Sequence, residues 1–148
     1  MTIETEVKSL QALPMFRGVD GTKLKLLAFA SDRLSFFSGQ RFFSQGDMSD
    51  CAYVILSGKV SVVLENSETA LKIAEIPRGA MVGEMGVLSG SPRSATIVAA
   101  EPTEALRIGK DVFFDLLKEF PAIAIAVMRD LAIRLEKTNA RLAALQNG

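Results

Sequence analysis

The chain has 148 residues, which fits one compact domain and leaves little room for a second, catalytic one. Lysine plus arginine and aspartate plus glutamate both number 17, so no overall basic field attracts nucleic acid or an anionic membrane. The sequence has no histidine and one cysteine, Cys51, which excludes histidine-based metal and haem sites and an internal disulfide.

The sequence is expected to lack both a signal peptide and a membrane span. Residues 1–6 are acidic and lack the basic segment and apolar core of a signal peptide. The longest apolar run, Ala122–Met128, has 7 residues, whereas a membrane-spanning helix needs about 20. Together with the single cysteine, these features predict a cytoplasmic protein without membrane contact.

The spacing of apolar residues changes twice along the chain. Residues 1–32 have helical spacing interrupted at Pro14, which predicts two short helices. Over 33–109 the period falls to about two and turn residues recur about every ten positions, which predicts about eight short strands. Helical spacing returns over 110–146. The expected fold is therefore a single α+β domain over 1–148, an antiparallel, jelly-roll-like β-roll with N-terminal and C-terminal helices.

Two residue types are assigned to the core of this fold. Cys51 precedes an apolar run and is expected to begin a strand as a buried small hydrophobe, with no sensor role. The chain lacks tryptophan, so phenylalanines are expected to fill the interior. The phenylalanines assigned to the core are Phe36, Phe37, Phe42, Phe43, Phe113 and Phe114.

One segment, Gly79–Thr96, does not follow the strand rhythm. Glu84–Leu88 reads as a short helix, and Gly83 and Gly86 allow a ligand to approach the backbone closely. The start of a helix offers free N–H groups and partial positive charge, and Arg93 could return a guanidinium to the same place. This pattern predicts an anion site. The carboxylate of Glu84 would repel an anion, so it is better used to accept hydrogen bonds from sugar hydroxyls.

The run Gly83–Thr96 resembles the phosphate-binding cassette of cyclic-nucleotide-binding domains, whose pattern is Gly-Glu, a short helix, then Pro-Arg and a small or hydroxyl residue. The cassette, here 83–94, also resembles those of bacterial cyclic-nucleotide-gated channels. Gly39–Asp47 and Tyr53–Val60 resemble the first half of the same roll, so the likeness covers about 12–146.

This resemblance implies a role for each cassette residue. Glu84 would bind the ribose 2′-hydroxyl and Arg93 would pair with the cyclic phosphate. Backbone contacts would come from Gly83, Met85 and Gly86, and a hydroxyl near the phosphate or base from Ser94.

The last helix is similar to the dimerising helix of the catabolite-activator-protein family. The alignment puts Thr138 at the family's adenine contact and Asn139 at the next position, which reaches across the dimer, and this favours cAMP. Independently, steps of four and three residues predict a parallel coiled-coil seam. The seam positions are Ala124, Met128, Leu131, Leu135, Thr138, Leu142 and Leu145.

The sequence departs from these families in two places. Met81 and Val82 stand where many relatives have an aromatic residue, and the chain stops at Gly148, about where the activator family begins its DNA-reading domain. With no membrane span and no room for a catalytic domain, the expectation is a stand-alone, non-enzymatic module without a metal or cofactor and without a nucleic-acid partner.

Each of these interpretations has a plainer alternative. Glu84 and Arg93 could form a surface salt bridge across a loop, and Thr138 could be a polar seam position that sets helix register. The basic residues Arg129, Arg134, Lys137 and Arg141 are interpreted as a solvated face. The last helix could also fold over the base as a lid in a monomer.

The leading hypothesis is a receptor that binds cAMP by preference and cGMP second, and that transmits occupancy through its C-terminal helices to a second copy or an unknown protein partner. The alternative is a degenerate β-roll that serves as a dimerisation or docking module without nucleotide binding.

Overall fold

The structure, a computed structural model, describes residues 2–147. Helix α1 begins after Thr2, whose side chain accepts a hydrogen bond from the backbone N–H of Thr5, and α2 begins after Asp20, which caps Thr22 in the same way. A single 3-10 turn, Pro14–Phe16, joins the two. The elements are α1 (Ile3–Gln11), α2 (Gly21–Ala30), β1 (Asp32–Phe36), β2 (Arg41–Phe43), β3 (Cys51–Ser57), β4 (Lys59–Glu65), β5 (Ala70–Pro77), β6 (Met81–Val82), α3 (Glu84–Ser89), β7 (Thr96–Ala99), β8 (Thr103–Gly109), α4 (Lys110–Glu119) and α5 (Pro121–Asn147).

The eight strands form two four-stranded antiparallel sheets. The strand orders are β1-β8-β3-β6 in one sheet and β2-β7-β4-β5 in the other. The helices lie at both ends of the chain, apart from α3, which interrupts the strands between β6 and β7. The α+β roll predicted from the turn spacing is confirmed. None of the helices within residues 2–147 is long and apolar enough to cross a bilayer.

Two hydrophobic clusters lie on opposite faces of the first sheet. Inside the roll, residues such as Phe42, Tyr53 and Ile55 pack together. On the outer face, Val54 and other strand residues pack against the helices, including Phe113 of α4. Strand β3 is buried on both faces, which is why its sequence is continuously apolar and does not alternate.

Most of the core assignments agree with the structure. Cys51 begins β3 and is buried, and burial raises the pKa of its thiol above the ordinary 9.0. Among the phenylalanines the exception is Phe37, which is 83% exposed, so its assignment to the core is wrong. Phe36 points inward at the end of β1, so the following side chain points outward, and the backbone N–H of Phe37 bonds the side chain of Gln40 in the turn to β2.

The turn between β3 and β4 requires glycine at position 58. Gly58 has φ +83°, and a Cβ there would lie 2.5 Å from the carbonyl oxygen of Pro102.

We expect Gly58→Ala to lower the free energy of unfolding by about 2 to 5 kcal/mol, because the alanine would be strained and would displace the backbone at Pro102. Gly39 has a similar φ of +87° with nothing within 4 Å. Gly39→Ala is therefore the control and should cost about 1 to 2 kcal/mol. Urea unfolding measures both, and equal losses would contradict the steric argument.

Candidate functional site

The chain changes direction at Gly83, between β6 and α3. Gly83 has φ +82° and is the N-cap of α3, and no side chain caps the helix there. The first N–H groups of α3 therefore have no side-chain partner from the N-cap position. A Cβ at position 83 would lie 2.8 Å from Nη1 of Arg93, and one at Gly86 would overlap Oγ of Ser49. Close packing requires glycine at both positions, and the backbone conformation requires it at Gly83 as well.

Arg93 is held inside the protein as a buried cation, 4% exposed. Its Nη1 donates to the carbonyl of Gly83 at 2.6 Å, and its Nη2 donates to the carbonyl of Cys51 at 2.6 Å. The guanidinium lies over the ring of Phe43, 4.0 Å from the centroid. Its Nε has no hydrogen-bond partner within residues 2–147. The side chain is thus fixed by its two outer nitrogens, and its Nε is a buried donor left unsatisfied among the described residues.

The loop that joins β2 to β3 fixes the backbone on either side of Arg93. The N–H of Gly46 donates to the carbonyl of Arg93, and the N–H of Arg93 donates to the carbonyl of Asp47, both at 2.8 Å. The hydroxyl of Ser49 donates to the carbonyl of Ser91 at 2.6 Å. These bonds position Arg93 before any ligand is bound.

Glu84, the first residue of α3, is the second buried charged group of the segment, 1% exposed. Its Oε1 accepts a hydrogen bond from Nη1 of Arg134 at 3.0 Å. Burial raises the pKa of the Glu84 carboxyl, and the positive charge of Arg134 opposes that rise. The alternative of a surface salt bridge between Glu84 and Arg93 is wrong, because Glu84 is buried and pairs with Arg134 of α5.

These groups surround a cavity of about 100 Å³ between the second sheet and α3. One side is apolar and includes Val62, Ile76 and Ile97, and the other is formed by the cassette, with Arg134 entering from α5. The structure brings together six of the eight residues expected to bind ligand. These six are Gly83, Glu84, Met85, Gly86, Arg93 and Ser94.

Comparison with known proteins identifies the family of this fold and cavity. The family model described as the cyclic nucleotide-binding domain matches residues 33–120. The chain belongs to the cyclic nucleotide-binding domain family. It is similar to the lysophospholipase nte1 of Neosartorya fischeri, 37% identical over 108 residues, which are 72% of this chain and 7% of that protein.

Two solved structures share the fold of this cyclic nucleotide-binding domain. The catabolite activator protein of Thermus thermophilus is 29% identical with a TM-score of 0.77, over 90% of this chain and 63% of that one. A cAMP-binding acyltransferase of Mycobacterium smegmatis is 29% identical with a TM-score of 0.80, over 91% of this chain and 42% of that one. The chain thus spans a small part of the fungal relative and less than two thirds of each of these two proteins.

Two further residues of the cyclic nucleotide-binding domain were expected to bind ligand, Thr138 and Asn139. Both are exposed on α5, and neither lines the cavity. The hydroxyl of Thr138 donates to the carbonyl of Arg134 at 2.9 Å. Thr138 lies one helical turn beyond Arg134 on the side that meets the roll, whereas Asn139 is rotated from it by about 100°. Helical spacing therefore places Thr138 nearer than Asn139 to the side of α5 that carries Arg134.

The interpretation of the four basic residues of α5 as a solvated face is wrong for Arg134, whereas Arg141 is exposed as expected. Arg134 pairs with Glu84, and Arg141 donates from Nη1 to the carbonyl of Ile73 at 2.9 Å. A signal for Arg134 was present in the sequence. Ile123 and Val127, both buried, precede it by eleven and seven residues, so Arg134 continues the buried stripe of the helix.

No group of three or more potential metal-ligating side chains occurs in the part of the cyclic nucleotide-binding domain that the structure describes. The chemistry of the cavity rests on one guanidinium, one carboxyl paired to a second guanidinium, and backbone N–H groups.

The pairing of Glu84 predicts how stability depends on pH. The pKa of Glu84 lies above its ordinary value of 4.5 in the folded state, so the folded protein binds this proton more tightly than the unfolded chain. The contribution of Glu84 to the free energy of unfolding therefore falls as the pH rises from the ordinary pKa to the raised one. Arg134→Met removes the positive charge that holds the pKa of Glu84 down. In this variant the decrease in the free energy of unfolding should extend to higher pH and become larger.

Urea unfolding measured from pH 4 upward in about half-unit steps tests this, since one pKa unit corresponds to about 1.4 kcal/mol. When Glu84→Gln is present, adding Arg134→Met should no longer change how the free energy of unfolding depends on pH. Arg129→Met, at an exposed position of the same helix, should leave the wild-type profile unchanged. Parallel profiles for wild type and Arg134→Met would contradict the assignment of Arg134 as the partner of Glu84.

Proposed function

We propose that this domain is a non-enzymatic regulatory receptor for a cyclic nucleotide, with cAMP preferred over cGMP. The observation that carries the proposal is Arg93, a buried guanidinium that is fixed by two carbonyls and keeps its Nε–H without a partner among the described residues. A buried donor of this kind is expected to have a ligand. A phosphate, with oxygens that accept charge-assisted hydrogen bonds, matches it.

The rest of the cavity fits the other parts of a cyclic nucleotide. The backbone N–H groups at the start of α3 would add donors for the phosphate. Glu84 would accept a hydrogen bond from the ribose 2′-hydroxyl, the role that the family resemblance implies. The apolar side chains of Val62, Ile76 and Ile97 offer a wall for the base.

The preference for cAMP rests on the C-terminal helix. Thr138 lies one turn beyond Arg134 on α5, and its exposed hydroxyl would bond a base that projects from the cavity. The related acyltransferase of Mycobacterium smegmatis is a cAMP-binding protein. Its binding property supports cAMP as the first ligand to test for this chain.

We propose further that the exposed side of α5 pairs with a second copy. Met128, Leu135 and Leu142 recur every seven residues and are 60%, 61% and 54% exposed. This is the spacing of a coiled-coil seam. In such a dimer Asn139 would reach the partner's nucleotide, and α5 would carry the occupancy of one site to the other chain.

The enzymatic activity of the fungal relative is not transferred to this domain, because the similarity covers 7% of that protein. The sequence has no histidine, and no nucleophile with an adjacent base was found in it. We propose that the domain acts by binding alone, and cytoplasmic location stays a prediction.

Titration calorimetry with cAMP and cGMP on nucleotide-stripped protein tests the receptor. We expect one site per chain, and we expect Arg93→Ala to weaken binding by about 30-fold or more, because the phosphate loses its buried cation. Arg78→Ala, which removes an exposed arginine from the turn before β6, is the matched control and should bind as wild type. Circular dichroism establishes that each variant is folded. Folded wild type that gives no heat with either nucleotide would contradict the proposal and favour the docking module.

Sedimentation tests the dimer separately. Leu135→Glu places a charge in the seam and should shift the protein to monomer, since a buried charge in a coiled coil is costly. Ile133 is 51% exposed but lies about 160° around the helix from Leu135. Ile133→Glu should therefore stay dimeric. A wild type that sediments as a monomer with and without nucleotide would contradict the seam.

A further inference from the structure

A groove runs between α2 and α4 and shares no lining residue with the cavity beside Arg93. Each helix contributes four residues to it, at steps of three, one and three along the chain, which is the spacing of a single helix face. They are Lys23, Leu26, Leu27 and Ala30 of α2, and Val112, Asp115, Leu116 and Glu119 of α4, together with Phe120. Two helix faces that converge in this way form a seat for a third helix.

Helix α2 is unusually apolar for a helix at the surface. Every residue from Leu26 to Ala30 is apolar, so apolar side chains project on nearly all sides of the helix. A helix of this composition is normally buried all round, yet Leu26 is 65% and Phe29 is 69% exposed. Positions 26 and 29 lie about 60° apart on a helix. The apolar surface of the groove therefore continues outward over Leu26 to Phe29, and such a surface favours a partner.

The charges along the groove define the chemistry of that partner. Asp115 and Glu119 are exposed, one turn apart on α4, and neither forms an ion pair within residues 2–147. On the α2 side, Nζ of Lys23 lies 5.0 Å from the centroid of the Phe120 ring, which partly engages its charge. The lining carries two carboxylates against one ammonium group. It therefore complements a basic partner and disfavours an anionic membrane.

We propose that the groove between α2 and α4 binds an amphipathic helix of another protein, in which basic residues flank an apolar stripe. The stripe would cover Leu26, Val112 and Phe120. Two basic residues, four positions apart, would pair with Asp115 and Glu119. Both groove helices have 10 residues, a length of about 15 Å, so the groove seats about three turns of the partner. This inference does not depend on the nucleotide site.

The test uses two fluorescently labelled peptides of about 14 residues, or four turns, that share one leucine stripe. The first carries lysines four positions apart beside the stripe, and the second carries glutamates at the same positions. Fluorescence anisotropy with the full chain measures both dissociation constants. We expect the lysine peptide to bind at least about tenfold more tightly, and we expect the difference to shrink in about 0.5 M salt, which screens exposed charges. Equal binding of the two peptides, or no binding of either, would overturn the proposal.

Leu26→Ala tests the apolar part of the groove. This variant should weaken binding of the lysine peptide by roughly tenfold, because a leucine side chain no longer becomes buried. Leu71→Ala is the matched control, since it removes a leucine of nearly the same exposure, 64% against 65%, from β5. It should bind the peptide as wild type does, and circular dichroism establishes that both variants are folded. Equal losses in the two variants would contradict the placement of the peptide in this groove.

Asp115→Lys tests the acidic rim. It should weaken the lysine peptide and strengthen the glutamate peptide, because the rim charge is reversed. Glu101→Lys makes the same change of charge at an exposed position in the turn between β7 and β8, and it should leave both dissociation constants unchanged. If Glu101→Lys has as large an effect as Asp115→Lys, the peptide responds to net charge alone and the proposed contact is wrong.

Sedimentation without peptide tests whether a second copy of the chain occupies the groove instead. Self-association of wild type that Leu26→Ala abolishes would assign the groove to a second copy and overturn the partner helix. Failure of the receptor is distinguishable from failure of this proposal, because the calorimetry uses nucleotides and the anisotropy uses peptides. A chain that binds the lysine peptide selectively but binds no nucleotide would leave the docking groove standing.

Discussion

A guanidinium taken out of water has to be hydrogen-bonded, and the segment around α3 is arranged to meet that requirement for Arg93. Two carbonyls hold its outer nitrogens, and the ring of Phe43 covers one face. The lack of a side chain at Gly83 makes the close approach possible, and the loop between β2 and β3 fixes the backbone of Arg93 from the other side. A different placement of Arg93 would break the hydrogen bonds that connect it to Gly83 and to the loop between β2 and β3, beside the cavity.

The second buried charge connects the roll to the helices. Glu84 begins α3, and its partner Arg134 lies in α5, so one ion pair joins the cassette to the end of the chain. Arg134 also donates to the carbonyl of Met81 and pairs with Asp130 in its own helix. A group that competed for the carboxylate of Glu84 would weaken one of the contacts that hold α5. The cavity and the last helix therefore share one ion pair.

The roll and the cassette could be predicted from the sequence because their signals are local. Turn residues at short spacing indicate the strands, and Gly83, Glu84 and Arg93 lie within one short segment. The pairing of Glu84 with Arg134 could not be predicted with the same ease, since 50 residues separate them and a basic residue on a long helix is usually solvated. The burial of Phe37 was also predicted incorrectly from the sequence. Composition favours a buried phenylalanine, but the turn after β1 directs this side chain outward. The orientation of Thr138 and Asn139 depends on how α5 crosses the roll, which helical spacing alone does not fix.

The packing inside the roll also gives the protein a built-in optical reporter. The chain has one tyrosine and no tryptophan, so its near-ultraviolet emission arises from Tyr53 with little competition. Tyr53 is buried, and its ring lies 6.3 Å from that of Phe43, the ring beneath the Arg93 guanidinium. Burial raises the pKa of Tyr53 to about 12, so the phenol stays protonated across neutral pH and its signal is not mixed with ionisation. A change at the Arg93 guanidinium is one aromatic ring away from the only strong chromophore of the molecule, and it can be followed without attaching a label.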